Sequence, residues 1–281
     1  MDKVGMNIPD LYNMPLDRED LSEEEQGHYD RAFQLLCEGQ TFGVFQFAGS
    51  NITRVLQQAK PKTIEDIAAV NAIYRPGVIK MGALDAFIRR KNGQEDPTNQ
   101  HHPMFEEILE PTQGIMIYQE QFIQMFSMLG LSFGEGDILR KTAESLDQKK
   151  CNDYLEEHLY RYPDKLILSM EETKKVAGKL IENAGYLFNK SHAISYSILA
   201  YWTSYFKAKY PAEFIEVLCN HSADDHDEIA LCLSMARDLL DNPKVTLGDI
   251  NNFSLDFKVT QDEFMVGLMG VKGLGKSVLN K

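Results

Sequence analysis

The chain has 281 residues, 43% of them hydrophobic, and a formal net charge of −13. That length suffices for one large domain or two modest ones with a real core, and no apolar run approaches the roughly 20 residues of a membrane helix. So acidic a balance argues against an autonomous, non-specific nucleic-acid binder, which draws its affinity from neutralising phosphates.

The charge is uneven, however. Asp17 to Glu25 and Asp224 to Glu228 are acidic, whereas Arg89, Arg90 and Lys91 and the stretch from Lys272 to Lys281 are basic. Any polyanion would be gripped at particular places. The start has no basic region followed by an apolar core, so no export signal is expected and the cytoplasm is the expected compartment. Cys37, Cys151, Cys219 and Cys232 lack CxxC spacing, as suits reduced thiols. Cys219, His221, His226 and Cys232 match no common zinc module, and all four fit ordinary helical faces, so no metal ligand is assigned. His101 and His102 fall in a polar loop and read as solvated.

In chain order, Ser22-x-x-Glu25 is a capping box, and Tyr29, Ala32, Phe33, Leu36 and Cys37 follow it at helical spacing. "TFGVFQF", 41–47, is aromatic and β-branched and predicts a short buried strand or extended segment. Ile52, Val55, Leu56 and Ala59 form one helical stripe closed by Pro61. Thr63 can cap the next helix, which Pro76 and Gly77 of "YRPG" end. Helices are expected over 81–91, 103–109 and 119–129. Ser132-x-x-Glu135 and Ser169-x-x-Glu172 open two more near 133–142 and 170–184. A long helix follows "NKSH", and Pro211 suits the first position of another. Beyond Pro243, "FSLDFKV" and "EFMVGLM" have strand character around the turn-like "TQDE". The expected fold class is mainly α, followed by a small α+β segment.

Four constellations could carry chemistry. At the head of the long helix, Asn189 or Ser191 can act as cap while Lys190 and His192 crowd the first turn. Cations are disfavoured at that end of a helix dipole. A phosphate bound there would turn them into anion ligands; the alternative is that both side chains turn into water. In "GIMIYQEQFIQMF", Tyr118 ends a short apolar run just before a helix, where its ring could receive a base or plug the edge of the core. Arg75, beside the Pro-Gly corner, could bind phosphate bidentately or cap the C-terminus of a helix. Arg140 and Lys141 share one turn but point about 100° apart. Finally "GVKGLGKSV", with Lys272, Gly273, Gly275 and Lys276, reads as a helix-hairpin-helix whose glycines let the backbone approach a phosphate. It breaks off at Lys281, roughly two turns into the second helix.

Taken together, "GVFQF", "YRPG", "RRKNG", "EPTQGIMIYQEQ", "GEGDILRK", "FNKSHAISYSILAYWTSYFKAKYPAEF" and "GVKGLGK" resemble, in this order, the C-family bacterial replicative DNA polymerases, the DNA polymerase III alpha subunits. The resemblance runs from about residue 39 to the end, more weakly before that. It implies an acidic lead-in and helix over 1–38 and a polymerase fingers-like helical domain over 39–221. A linker helix, short β-hairpin and partial helix-hairpin-helix DNA-binding motif would then cover 222–281. It also implies that Arg75, Tyr118, Arg140, Lys141, Asn189, Lys190 and His192 meet an incoming deoxynucleoside triphosphate (dNTP). Arg89, Arg90, Lys91, Lys272, Gly273, Gly275 and Lys276 become expected DNA contacts.

The family's metal-holding carboxylates lie in a palm that precedes this region, and no Asp-x-Asp on a hydrophobic strand is found before residue 39. No residue of this chain is therefore assigned to catalysis. Mg2+ is expected only through a palm-containing partner chain, with primer-template DNA and dNTP as the other partners and no membrane. "TAESLD", 142–147, replaces the family's usual Gly-Lys-Lys and removes positive charge near the nucleotide. Val78 stands for a proline, and Ala48-Gly49 for an acidic-serine pair. The function that follows is the fingers portion of a split DNA-directed DNA polymerase, inactive alone, such as a divided gene of a mobile or viral genome would encode. The alternative is a non-catalytic DNA- or polymerase-binding module that modulates replication. Fingers parted from a palm should also expose an apolar face, including part of "TFGVFQF".

Overall fold

The computed structural model describes residues 2–97, 102–145, 147–247 and 253–274. Its helices are α1 (Ile8–Tyr12), α2 (Glu23–Glu38), α3 (Ser50–Ala59), α4 (Ile64–Ile73), α5 (Pro76–Lys80), α6 (Ala83–Lys91) and α7 (Glu106–Leu109). They continue with α8 (Gln119–Leu129), α9 (Phe133–Glu144), α10 (Gln148–Leu155), α11 (Met170–Glu182), α12 (Lys190–Lys209), α13 (Pro211–His221) and α14 (His226–Leu239). Three short strands follow: β1 (Lys244–Leu247), β2 (Lys258–Val259) and β3 (Glu263–Val266). The fold is thus mainly helical, with a small α+β segment, as expected.

Local signals set most boundaries. Ser22, Ser132 and Ser169 each accept from the backbone of a glutamate three residues on, which returns the bond to the cap. Thr63 does the same with Asp66. Such caps satisfy N–H groups that have no partner inside the helix. The Pro-Gly corner behaves differently from expectation. The helix before it already stops at Ile73, and Pro76 opens α5, where its missing N–H costs nothing. Gly82, at φ 74°, then separates α5 from α6, so the helix expected from 81 to 91 begins at Ala83.

"TFGVFQF" is buried in part but is no strand. Val44 and Phe47 are nearly inaccessible, yet Val44 N donates to Thr41 O and Phe47 N to Val44 O, in successive turns. Gly43 and Gln46 both have positive φ, which no strand permits. A Cβ on Gly43 would come within 2.6 Å of Leu218 Cδ1, so the turn also needs glycine for space. Only Phe45 of the segment is substantially exposed among its large apolar residues.

Two compact units result: residues 54–198, and residues 1–53 with 199–281. The expected boundaries after 38 and 221 do not mark where these units part. In the second unit the C-terminal half of α12 packs against α2. Ser204 Oγ donates to Ala32 O at 2.8 Å, and Tyr201 meets Tyr29 and Phe33 at centroid distances of 5.3 and 5.9 Å. A further core joins Ile215, Cys219, Cys232, Ala236, Phe257 and Phe264. The strands pair in the order β1-β3-β2, with β1 parallel and β2 antiparallel to β3. The β2–β3 hairpin around "TQDE" was legible in the sequence; β1 was not. Where the first helix of a helix-hairpin-helix was expected, β3 is followed by a single 3-10 turn, Leu268–Gly270. Lys272 and Gly273 lie in the turn after it, and Gly275 and Lys276 fall outside the described residues.

The buried Tyr201 hydroxyl has no hydrogen-bond partner among the described residues. Burial also pushes its pKa far up. An unpaired buried hydroxyl carries a desolvation penalty. Tyr201→Phe is therefore expected to stabilise the chain by about 1 kcal/mol, seen as a higher midpoint in urea; a loss of more than that would show a hidden partner.

In the 54–198 unit, Phe105, Leu109, Phe122, Met125, Phe126, Leu129, Leu139, Leu155, Leu159, Ala177 and Leu180 form one fully buried cluster. α8 lies in its centre. That placement fixes the residues at the head of α8, on which the candidate site depends.

Candidate nucleotide-facing site

The site is assembled at a junction of two backbone segments. Phe188 N donates to Ile117 O and Gln119 N donates to Phe188 O, both at 2.9 Å, making a parallel bridge between Tyr118 and Phe188. Beneath it, the buried Gln121 side chain holds the junction together. Its Oε1 accepts from Ile117 N and Tyr118 N, each at 2.9 Å. Its Nε2 donates to Ile108 O at 3.0 Å and to Thr112 Oγ1 at 2.7 Å. All four bonding positions of the amide are used.

The head of α12 answers the electrostatic puzzle in an unexpected way. Asn189 is its cap, with His192 N donating to Asn189 Oδ1 at 2.8 Å. The negative charge comes from Glu120, on the first turn of α8. Its carboxylate accepts from Lys190 N at 2.9 and 3.1 Å and from Asn189 Nδ2 at 3.2 Å. A carboxylate there complements the positive end of the helix dipole and occupies backbone donors that a phosphate would otherwise use. The exposed side chains of Lys190 and His192 remain available. Lys190 Nζ lies 5.9 Å from the Tyr118 ring centroid, and the His192 ring packs on Phe188 at 5.6 Å and Tyr196 at 4.2 Å.

Tyr118 itself is only 3% exposed. Burial, then the nearby charges of Glu65 and Glu120, push its hydroxyl pKa far up. The ring is therefore a wall of the core at this point, and not an open stacking platform. Arg75 is also committed. Its Nε donates to Ala72 O at 2.8 Å at the end of α4 and its Nη2 to Tyr186 O at 2.7 Å. The guanidinium stands 4.8 Å from the Phe188 ring centroid. The capping alternative holds for Arg75, and Phe188 brings it into the neighbourhood of Lys190 and His192.

Five further cations of the 54–198 unit are paired internally. Arg140 Nε bonds Asp137 at 3.0 Å, and its Nη1 bonds Glu144. Lys141 Nζ bonds Asp137 at 2.7 Å. Lys141 and then Arg140 hold the Asp137 carboxyl below its usual range. Gln119 Nε2 reaches Glu144 at 3.1 Å, so Arg140 adjoins the "YQEQ" turn through two hydrogen bonds. Arg89 and the buried Arg90 share Glu95, each at 2.9 Å, and Lys91 bonds Asp66 at 2.6 Å. Those three expected DNA contacts lie on α6, and none of them is a bare cation.

Among the participants that escaped sequence reasoning are Gln119, Glu120, Glu95 and Phe188. Glu120 and Glu95 are acids, which no search for phosphate ligands selects. Phe188 sits where an aromatic reads simply as core. The only available signal for Glu120 was its adjacency to Tyr118 in a helix's first turn, a favourable place for an acid. Among the described residues no three His, Cys, Asp or Glu side chains are gathered as a metal ion would require. Nor is any described helix long and apolar enough to cross a membrane.

Comparison with known proteins gives this arrangement a family. A family model described as the bacterial DNA polymerase III alpha subunit finger domain matches residues 10–162. The DNA polymerase III subunit alpha of Thermus aquaticus is 37% identical over 254 residues, covering 88% of this chain and 20% of the relative. Those of Saccharopolyspora erythraea and Aquifex aeolicus are 34% and 35% identical, covering 89% and 88% of this chain. The chain thus spans about a fifth of the length of these relatives. The matched stretch includes Arg75, Tyr118, Glu120, Arg140 and Lys141, and on it the chain belongs to the family of bacterial DNA polymerase III alpha subunit finger domains.

Proposed function

We propose that this chain supplies the fingers of a DNA-directed DNA polymerase that is complete only with a second, palm-bearing chain, and that it acts in DNA replication. It receives the incoming dNTP and the primer-template end, while the partner's carboxylates hold Mg2+. The observation that carries this reading is the convergence at Phe188. Arg75 and His192 adjoin that one side chain, Tyr118 is bridged to its backbone and has Lys190 over its ring, and Arg140 is tied to the neighbouring Gln119 through Glu144. Phosphoryl transfer asks of such residues positioning and charge stabilisation, with the metal supplied elsewhere. The internal ion pairs of Arg140 and Lys141 do not oppose the reading. The Lys141 side chain is 63% exposed, and a pair so exposed is worth about 0–1 kcal/mol, so a triphosphate can exchange it cheaply; Arg140, 11% exposed, keeps its pairs and lends its charge from beneath.

Mixed with a polymerase chain that retains its palm but lacks its fingers, this chain is expected to restore primer extension. Alone, in a clean preparation, it extends nothing. Lys190→Ala combined with His192→Ala should cut the restored rate by about a hundredfold, corresponding to two charge-assisted contacts. No restoration with any palm-bearing chain would sink the proposal.

One feature favours the second reading, a non-catalytic module that binds DNA or a polymerase. Glu144, within the "TAESLD" segment, neutralises Arg140 where the family resemblance calls for added positive charge. Triphosphate affinity separates the two. The fingers reading requires that the palm-bearing chain raise it, and the modulator reading requires no measurable affinity with or without that chain.

A further inference from the structure

The 54–198 unit contains a cleft of about 400 Å³ that is not lined by Tyr118, Asn189, Lys190, His192, Arg140 or Lys141. Its floor is apolar, with Ile73, Val78, Met116 and Ile117 all buried beneath it. Its rim is charged. Arg75, Arg89 and Arg90 share the lining with a single carboxylate, Glu95, a local excess of positive charge in a chain of net −13.

The arginines are held in place before any ligand arrives. Arg90 has a side chain only 3% exposed, fixed by Glu95 and by a bond from Nη1 to Gln113 O at 3.0 Å. Arg75 is anchored by Ala72 O and Tyr186 O. Arg89, half exposed, spends its Nε on Glu95, and its Nη groups, four of the fork's five N–H donors, make no other hydrogen bond among the described residues. Gly114 allows the wall to close in. A Cβ there would sit 2.8 Å from Pro97 O and 3.4 Å from Arg90 Nη1, and its φ is +74°.

We propose that this cleft binds a small organic anion, with a flat apolar body on the Ile73–Ile117 floor and one phosphate or carboxylate head on Arg89 and Arg75. A volume of this order holds a compact ligand, and planar forks of guanidinium donors match both heads bidentately. An apolar floor gives inorganic phosphate nothing to bury, and a neutral ring leaves the outward edge of Arg89 unserved. This inference stands apart from the dNTP site, because the cleft and the head of α12 share only Arg75, although Arg89 and Arg90 are also among the expected DNA contacts.

The test is a titration of the whole chain with 1-naphthyl phosphate, 1-naphthoate, 1-naphthol and inorganic phosphate, followed by methyl NMR. At least one naphthyl anion should bind about tenfold more tightly than both naphthol and inorganic phosphate, the worth of one charge-assisted pairing. The preferred head tells whether a phosphate ester or a carboxylate is the better occupant. Methyl signals of Ile73, Met81 and Ile117 should shift. Arg89→Gln should weaken binding about tenfold, and Ala86→Leu, which fills the cleft, should abolish it. Equal affinity for naphthol, no anion binding at all, or shifts confined to Ala193 and Ile194 beside the head of α12 would each overturn the proposal.

Discussion

Gln121→Leu is expected to destabilise the 54–198 unit by about 3–5 kcal/mol, more than a typical core substitution. Leucine matches glutamine roughly in volume, so little packing is lost. It leaves the amides of Ile117 and Tyr118 and the carbonyl of Ile108 without their partner, in a place where Gln121 is 5% exposed and Tyr118 3%. Each buried group so orphaned costs about 1–3 kcal/mol, and partial relaxation keeps the sum below the simple total. Because two compact units need not unfold together, the measurement should be local. Hydrogen exchange at Ile117 and Tyr118 should accelerate strongly, with amides of the aromatic cluster around Tyr201 unchanged. A cost under about 1 kcal/mol would mean that water replaces the side chain and that the junction is not dry.

The second large effect concerns pH. Lys207 is 1% exposed, and its Nζ donates to Gln40 O at 2.7 Å and Phe42 O at 3.0 Å. Burial brings its pKa from 10.5 down to about 8, with Cys232 and Asp238 opposing the shift. The lysine of the unfolded chain therefore holds its proton up to a higher pH than the folded one. Stability carries the full cost of the buried ammonium below about pH 8, and recovers it as pH rises from about 8 to 10.5. The gain is at most about 3 kcal/mol. A neutral amine still has two N–H groups for the two carbonyls, so deprotonation need not free the 40–42 segment. Tyrosines with raised pKa values, such as Tyr205, act oppositely above about pH 10. The measurement is therefore the difference between the wild type and Lys207→Met in urea midpoint across pH 7–10. The wild type should rise relative to the variant; parallel curves would refute the assignment.

The helices with side-chain caps could be read almost directly, because Ser22, Ser132 and Ser169 each pair with a glutamate three residues on. So could α8, whose expected span of 119–129 is the observed one. "TFGVFQF" misled because its composition favours strands, while Gly43 and Gln46 adopt left-handed conformations that no propensity reports. β1 was missed because it is short and its partner in the parallel pair is β3, with β2 and the hairpin turn lying between them in sequence. Around the candidate site, the sequence drew attention to the cations. It was silent on their carboxylate partners, since Asp137–Lys141 and Glu95–Arg89 are side-chain choices made in three dimensions. Lys207 was likewise missed: a lysine reads as a solvated cation, although its spacing continues the buried stripe of Ala193, Ser197, Ala200 and Ser204.

The pairing of Arg89, Arg90, Lys91, Arg140 and Lys141 with acids of the same unit bears on how a duplex would be held. A lysine or arginine that is free in solution sheds condensed counterions from DNA when it binds a phosphate, and that release makes affinity fall steeply with salt. A DNA contact made through any of these residues would first give up a carboxylate, which would then recruit a sodium ion of its own. Cation uptake on the protein offsets cation release from the nucleic acid. A grip made this way would be weak and only mildly salt-sensitive, as suits a surface that slides over a duplex more than one that clamps it.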